Sequence, residues 1–171
     1  DLYWIRFEKN LKEKLFNKKE KKMSHSKEMA ERLNDLLEKN YDAEKGYKNA
    51  ANDVKNQRLK EFFKQKAQQR YDFGHELKSE IRNFGESPDK GSSFKADAHR
   101  AWMDLKSALT GDTEEKVLEE AIRGERAAVE DYNEAIKENN FPPSTENLLI
   151  KQRNSIERSL KEVQDMEERR D

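Results

Sequence analysis

The sequence predicts an all-α protein built from four long amphipathic helices, because three of its features agree. The 171 residues include only 6 Gly and 3 Pro, which argues against long loops and against a sandwich of short strands. Charged residues make up 42% of the chain and apolar residues 33%, a balance typical of helices with charged outer faces or of partial disorder. Apolar residues also recur at alternating steps of three and four along four segments, which favours helices.

Two helices separated by a short break are predicted in the first half of the chain. Ser26 is the expected N-cap of the first helix, which runs to about Asp53. Its inward stripe consists of Leu33, Leu37, Asn40, Glu44, Tyr47, Ala51 and Val54. The second helix spans about Asn56 to Phe84 and ends at Gly85, since glycine readily adopts the left-handed conformation of a C′ residue.

A long connection and two further helices are predicted in the second half. The stretch GESPDKGSS is a loop, and a short helix follows it. The apolar face of that short helix consists of Phe94, Ala98, Ala101, Trp102, Leu105 and Leu109. Thr113 is the expected N-cap of the third long helix, and Ser144 that of the fourth, after the prolines of NNFPPSTEN.

Two tight helical hairpins joined by a crossover of about 27 residues favour one particular bundle topology. A simple up-down-up-down bundle has short loops throughout, whereas the ferritin-like four-helix bundle has one long crossover. We therefore expect a ferritin-like bundle at residues 23–171, with the short helix lying across its outside or one end and Trp102 on the inner face.

Residues 1–22 differ from the rest of the chain and are predicted to be a separate N-terminal extension. They hold eight Lys and Arg against four Asp and Glu, and Trp4, Phe7, Leu11 and Leu15 follow helical spacing. One interpretation is a basic amphipathic helix that lies on anionic membranes. The favoured interpretation is that the natural chain begins at Met23, because the codons for Lys-Lys-Glu-Lys-Lys can resemble a bacterial ribosome-binding site.

The composition excludes several classes of function. The absence of Cys rules out disulfides, thiolate metal sites and cysteine nucleophiles, and it is typical of a reducing cytoplasm. A net charge of −1 gives no general attraction to nucleic acid, so no nucleic-acid partner is expected. No apolar run approaches the roughly 20 residues of a membrane span.

Charged residues on the inward stripes are the candidate site. Glu44 and Glu125 lie on the stripes of the first and third helices, and Arg70 lies seven residues from Phe63 and from Leu77 on the second. A ferritin-like di-metal site needs two glutamates and two Glu-x-x-His pairs. This chain lacks the His pairs on those stripes.

The favoured hypothesis is a core polar cluster of Glu44, Arg70, Glu125 and Gln152, with no metal and no cofactor. Arginine cannot bind a metal, because it has no lone pair to offer, but its fork of donors can bind two carboxylates. We therefore expect Arg70 to neutralise both Glu44 and Glu125 at the middle of the bundle. The plainer alternative is that these charges lie at the stripe edges with their heads in water.

A di-iron or di-manganese site is the competing hypothesis. Its ligands would be Glu44 and Glu125, with Gln152 and Asp72 as unusual additions. Asp72 and His75 have the acid-x-x-His spacing, but they fall off the stripe and are expected to be solvated. Tyr47 and Tyr132 are expected to be core aromatics with a hydrogen-bonded hydroxyl.

Three stretches, LNDLLEKNYDAEKGYKNAANDV, AQQRYDFGHEL and above all HRAWMDLKSALTG, resemble an uncharacterised bacterial family of ferritin-like four-helix-bundle proteins, known as domains of unknown function. The resemblance covers about Lys27 to Glu168. It implies a ferritin-like fold in a bacterial cytoplasm and association into homo-oligomers. The wider superfamily includes proteins that store iron or carry out di-iron oxidation. Of the metal ligands that this implies, only Glu44 and Glu125 have counterparts in this sequence.

The function expected from these observations is that of a non-catalytic bundle, stress-associated or partner-binding, rather than an enzyme. The alternative is a di-metal protein for iron handling or oxidation. A membrane role depends on residues 1–22 being part of the natural chain.

Overall fold

The computed structural model describes residues 2–90, 113–138 and 140–170, and these form four long helices. The helices are α1 (Leu2–Asp53), α2 (Gln57–Asn83), α3 (Thr113–Glu138) and α4 (Pro143–Glu168). The predicted all-α class is confirmed, and the described ranges contain no strand. The predicted crossover helix with Trp102 lies outside the described residues.

Helix α1 is continuous over 52 residues, so the prediction that Ser26 caps it is wrong. Ser26 lies inside the helix, because the Lys, Glu and Leu residues before it have high helix propensity and no Pro or Gly interrupts them. The side chains from Leu2 to His25 are all exposed, and burial begins at Met29. The basic amphipathic segment is therefore helical and lies outside the core.

Helix α2 begins and ends within one residue of the predicted positions. The Asn56 side chain is its N-cap, and Oδ1 accepts hydrogen bonds from the backbone N–H groups of Arg58 (2.9 Å) and Leu59 (3.2 Å). Gly85 has φ = 79°. Its N–H donates to the Arg82 carbonyl at 2.9 Å, so the left-handed residue ends the helix as expected.

The prolines determine where α4 begins. Pro142 is the N-cap residue and makes no side-chain capping bond, and Pro143 is the first helical residue. The prediction that Ser144 caps this helix is therefore wrong. Proline suits the first helical position because its φ is already helical and its missing N–H would have no partner inside the helix.

The helices pack as two hairpins, α1 with α2 and α3 with α4, and each helix runs antiparallel to its counterpart in the other hairpin. Lys39 on α1 pairs with Asp131 on α3 at 2.5 Å, and Thr145 on α4 donates to Glu80 on α2 at 3.0 Å. Among the described residues, no helix is both long and apolar enough to cross a membrane.

The core consists of two apolar layers, one towards each end of the bundle. The first layer contains Met29, Leu33, Leu37, Leu77, Ile81, Leu149 and Ile156. The second contains Ala51, Val54, Leu59, Phe63, Leu118, Ile122 and Val163. Polar side chains occupy the level between them.

Glu114 joins three helix ends at one end of the bundle. Its carboxylate accepts hydrogen bonds from the Asn56 N–H (2.8 Å) and the Lys55 N–H (3.2 Å), and from the guanidinium group of Arg170 (2.7 Å). The bond from the Asn56 N–H, together with those from Arg170 and Lys55, lowers the pKa of Glu114 below its ordinary value, although partial burial opposes the change. The start of α3 is thereby tied to the α1–α2 turn and to the end of α4.

Candidate functional site: a buried polar network

An ion pair lies at the middle of the bundle. The Nη2 atom of Arg70 on α2 is 2.7 Å from Oε1 of Glu125 on α3. Each side chain is only 2% exposed. Phe63 and Leu77, seven residues to either side of Arg70, are fully buried, so the arginine lies on the inward face of α2.

Helix α1 contributes two further partners to this pair. The second terminal nitrogen of Arg70, Nη1, donates to the Asn40 side-chain carbonyl at 3.1 Å. The Tyr47 hydroxyl donates to the same Glu125 oxygen that Arg70 contacts. One carboxylate oxygen therefore accepts bonds from two helices, which offsets part of the cost of burying its charge.

The hydrogen bonds continue from Asn40 to α4. Asn40 Nδ2 donates to the Leu36 carbonyl (2.8 Å) and to the Tyr132 hydroxyl (2.9 Å). The Tyr132 hydroxyl donates to Gln152 Oε1 at 2.7 Å, and Gln152 Nε2 contacts the Phe73 carbonyl at 3.3 Å. These side chains, here called the polar network, are Asn40, Tyr47, Arg70, Glu125, Tyr132 and Gln152.

Burial and charge both shift the pKa values inside the polar network. Burial is the largest single influence on Arg70 and disfavours its charge, but attraction to Glu125, Tyr47 and Tyr132 and the hydrogen bond to Glu125 together outweigh it, so the pKa of Arg70 is raised above its ordinary value. Burial, reinforced by the neighbouring Glu125, holds the pKa of Tyr47 well above 10.0. Burial also raises the pKa of Tyr132 to about 12. Both hydroxyls therefore keep their protons near neutral pH and act as donors.

Glu44 is not part of the polar network, and its predicted pairing with Arg70 is corrected. Its carboxylate is 2.5 Å from Lys48 Nζ, and its side chain is 14% exposed. At 3.6 residues per turn, Glu44 is rotated about 60° from Tyr47 around the α1 axis. That rotation turns it towards the outer groove between α1 and α2, where it lies near Lys64 and Tyr71.

The other residues considered as metal ligands lie apart from the polar network. Asp72 and His75 are exposed, and His75 stacks edge-on against Tyr71 with ring centroids 4.6 Å apart. Within the described ranges, no group of three or more His, Cys, Asp or Glu side chains comes together in a way that could hold a metal. The polar network supplies one carboxylate and one guanidinium cation, which is not the donor set of a di-metal centre.

Asn40 lies on the predicted inward stripe of α1, but its part in the site was not predicted. Asn40 connects the ion pair to Tyr132, so it links Gln152 to Arg70. The sequence feature that could have revealed this role is the residue type. Asn40 is an amide on an inward stripe whose other positions include leucine and alanine. A buried Asn is rarely stable without partners, which points to other polar side chains at the same level.

Comparisons with known proteins agree with this fold. The family model described as a domain of unknown function (DUF2383) matches residues 28–138. A solved structure of a mutant of Dps1 from Mycobacterium smegmatis is similar, with a TM-score of 0.71 and 18% sequence identity, and the match covers 84% of this chain and 97% of that one. No curated protein matches the sequence. The chain belongs to the DUF2383 family, a family of unknown function, and its fold is that of a ferritin-like four-helix bundle.

Proposed function

We propose that this protein is a non-catalytic ferritin-like bundle in which an arginine–glutamate ion pair takes the place of a di-metal centre. The observation that carries the proposal is the 2.7 Å contact between Arg70 and Glu125, two side chains that are each 2% exposed at the middle of the bundle. A guanidinium group supplies the positive charge that metal ions supply in a di-metal bundle.

The hydrogen bonds around the pair support a structural role for it. Arg70 is held by Asn40 as well as by Glu125, and Glu125 also accepts from Tyr47. A metal ion at the same level would be repelled by the Arg70 charge unless that side chain moved away. Movement of Arg70 would break bonds to two other helices.

We infer from this interior that the protein acts through its outer surface, as a homo-oligomer or by binding another protein. The outer faces are densely charged, and their ion pairs include Lys39 with Asp131 and Lys64 with Glu61. A cytoplasmic location and a part in a stress response belong to the same proposal, and the lack of Cys is consistent with a reducing compartment.

Metal analysis under reducing conditions tests the proposal. The purified full chain is incubated anaerobically with Fe²⁺ or Mn²⁺, desalted and analysed by inductively coupled plasma mass spectrometry. We expect metal content to stay at the level of a control incubated without metal. About two metal ions per chain would overturn the proposal and favour iron handling or oxidation.

Glu44→Gln is the matched variant for this measurement. In the di-metal alternative Glu44 is a ligand, so any bound metal would be reduced in the variant. If the proposal is right, wild type and Glu44→Gln give the same background metal content, because Glu44 pairs with Lys48 and lies outside the polar network.

A further inference from the structure

A cleft of about 320 Å³ opens between α1 and α3, and the ion pair lies at its floor. Arg70 and Glu125 both line it. Small residues form part of its walls, namely Ala43 and Ala50 of α1 and Ala121, Gly124, Ala127 and Ala128 of α3. A volume of this size matches the lower end of small-molecule sites, which are typically lined by apolar groups with a few polar ones.

Two polar atoms of the floor have no hydrogen-bond partner among the described residues. They are Nε of Arg70, a donor, and Oε2 of Glu125, an acceptor. Every other polar atom of this ion pair is bonded to Asn40, Tyr47 or its partner in the pair. A buried donor and a buried acceptor that lack partners are costly, so the floor has capacity for one more polar group.

The two free atoms belong to side chains that contact each other, so a single group can serve both. On a guanidinium group, the Nε–H and one N–H of Nη2 lie on the same edge. Nη2 is 2.7 Å from Oε1 of Glu125, so the two side-chain ends that carry the free atoms lie next to each other. One head group that accepts from Nε and donates to Oε2 would complete the hydrogen bonding.

Charge and hydrogen-bonding capacity together define that head group. A carboxylate has no proton to give to Glu125, and an ammonium group has no lone pair to accept from Arg70. The cleft is also lined by two basic and four acidic residues, which disfavours an anion: Lys39, Arg70, Asp42, Glu120, Glu125 and Asp131. A hydroxyl or a primary amide fits both free atoms without adding charge.

We propose that this cleft binds a small neutral amphiphile, with its hydroxyl or primary amide on Arg70 and Glu125 and its apolar body between α1 and α3. The inference rests on the ion pair of the proposed function, but it adds a ligand site that the proposed function does not include.

Isothermal titration calorimetry with four eight-carbon probes tests the site. The probes are n-octanol, octanamide, octanoate and octylammonium, each titrated at neutral pH into the full chain. We expect one-to-one binding of octanol and octanamide, and binding about tenfold weaker or worse for the two charged probes. Equal affinity for all four would overturn the proposal, because it would show that the floor does not select the head group.

Gly124 provides a variant that fills the cleft without disturbing the fold. A Cβ at Gly124 would meet nothing within 4 Å, so the helix has room for a side chain there. Gly124→Phe should reduce octanol binding about tenfold or more. The matched control is Arg126→Phe, which adds the same ring at an exposed position that does not line the cleft, and should bind octanol as wild type does.

A second variant tests the floor itself. The double substitution Arg70→Met with Glu125→Leu replaces the pair by apolar side chains of similar size and removes both free polar atoms. We expect it to remain folded by circular dichroism and to lose the preference for octanol over octanoate. An unchanged preference would overturn the assignment of these two residues.

The metal analysis and the calorimetry test separate proposals, so a negative result in one can be distinguished from a negative result in the other. Metal uptake would overturn the proposed function whatever the probes do. Absence of octanol binding, with the metal content still at background, would overturn only the ligand site and show that water or other residues of the chain satisfy the two atoms.

Discussion

Glu44 and Glu125 occupy comparable positions in the two hairpins, yet the structure uses them differently. Glu125 is fully buried and bonded to side chains from two other helices, Arg70 and Tyr47. Glu44 is partly exposed and, among the described residues, is bonded to Lys48 alone, one turn further along its own helix. A glutamate on an inward stripe therefore enters the core only where other helices supply its partners.

The single arginine explains why only one of the two glutamates is buried. One guanidinium cation neutralises one carboxylate, and a second buried carboxylate would leave a net negative charge at the middle of the bundle. Such an uncompensated charge is strongly unfavourable in a medium of low polarity. Asn40, which is neutral, occupies the other side of Arg70 instead.

The largest effect is expected from removing one member of the buried pair. Glu125→Ala leaves the Arg70 charge without its main partner, and we expect the free energy of unfolding to fall by about 3–5 kcal/mol in urea titrations. The double variant Arg70→Met with Glu125→Leu is the control, since it removes both charges. It should be clearly more stable than the single variant. If the two variants lose equal stability, the ion pair is not the source of the effect.

An intermediate effect is expected from the tyrosine that joins two parts of the polar network. Tyr132→Phe leaves the Asn40 amide and the Gln152 carbonyl without their shared partner, which should cost about 1–3 kcal/mol of unfolding free energy at neutral pH. The conservative variant Tyr71→Phe, at an exposed tyrosine, should change stability by less than about 0.5 kcal/mol.

The same variant should alter the response to alkaline pH. The pKa of Tyr132 is about 12 in the folded chain against an ordinary value of 10.0, so the folded state holds this proton more tightly. The resulting stability is present below pH 10 and is lost as the pH rises towards 12. Urea titrations across this range should show a shallower decline for Tyr132→Phe than for wild type, and equal slopes would contradict the raised pKa.

The smallest effect is expected at Glu44. Its pair with Lys48 is a partly exposed i,i+4 pair within one helix, and Glu44→Gln should lower the unfolding free energy by less than about 0.5 kcal/mol. Added salt should reduce even this difference, because salt screens exposed charges. A loss above about 2 kcal/mol would mean that Glu44 takes part in the polar network after all.

Local signals predicted most of the helix boundaries. Asn56 and Gly85 define the ends of α2 through side-chain and backbone bonds that depend on nearby residues only, and the sequence indicates both. Ser26 and Ser144 have the right chemistry for caps, but the helical propensity before Ser26 and the rigid Pro143 decide those positions instead.

The site was less predictable because it depends on rotation of helices about their axes. An arginine, a glutamate and a glutamine on otherwise apolar stripes were sufficient to nominate Arg70, Glu125 and Gln152. Glu44 and Asn40 differ by only about 40° around the α1 axis. Sequence spacing alone therefore cannot tell which of the two side chains faces the core. Only the packed helices determine that Asn40 faces Arg70 and that Glu44 faces the outer groove.

The unusual length of α1 gives the molecule two kinds of helical backbone in one element. From Leu2 to His25 the helix extends about 35 Å with every side chain exposed, and its hydrogen bonds gain nothing from a core. Amide protons there should exchange with solvent far faster than those between Met29 and Asp53, where one face of the helix packs against the neighbouring helices. One continuous helix thus has an N-terminal part that exposes Trp4 and Phe7 to solvent and a C-terminal part that packs in the bundle.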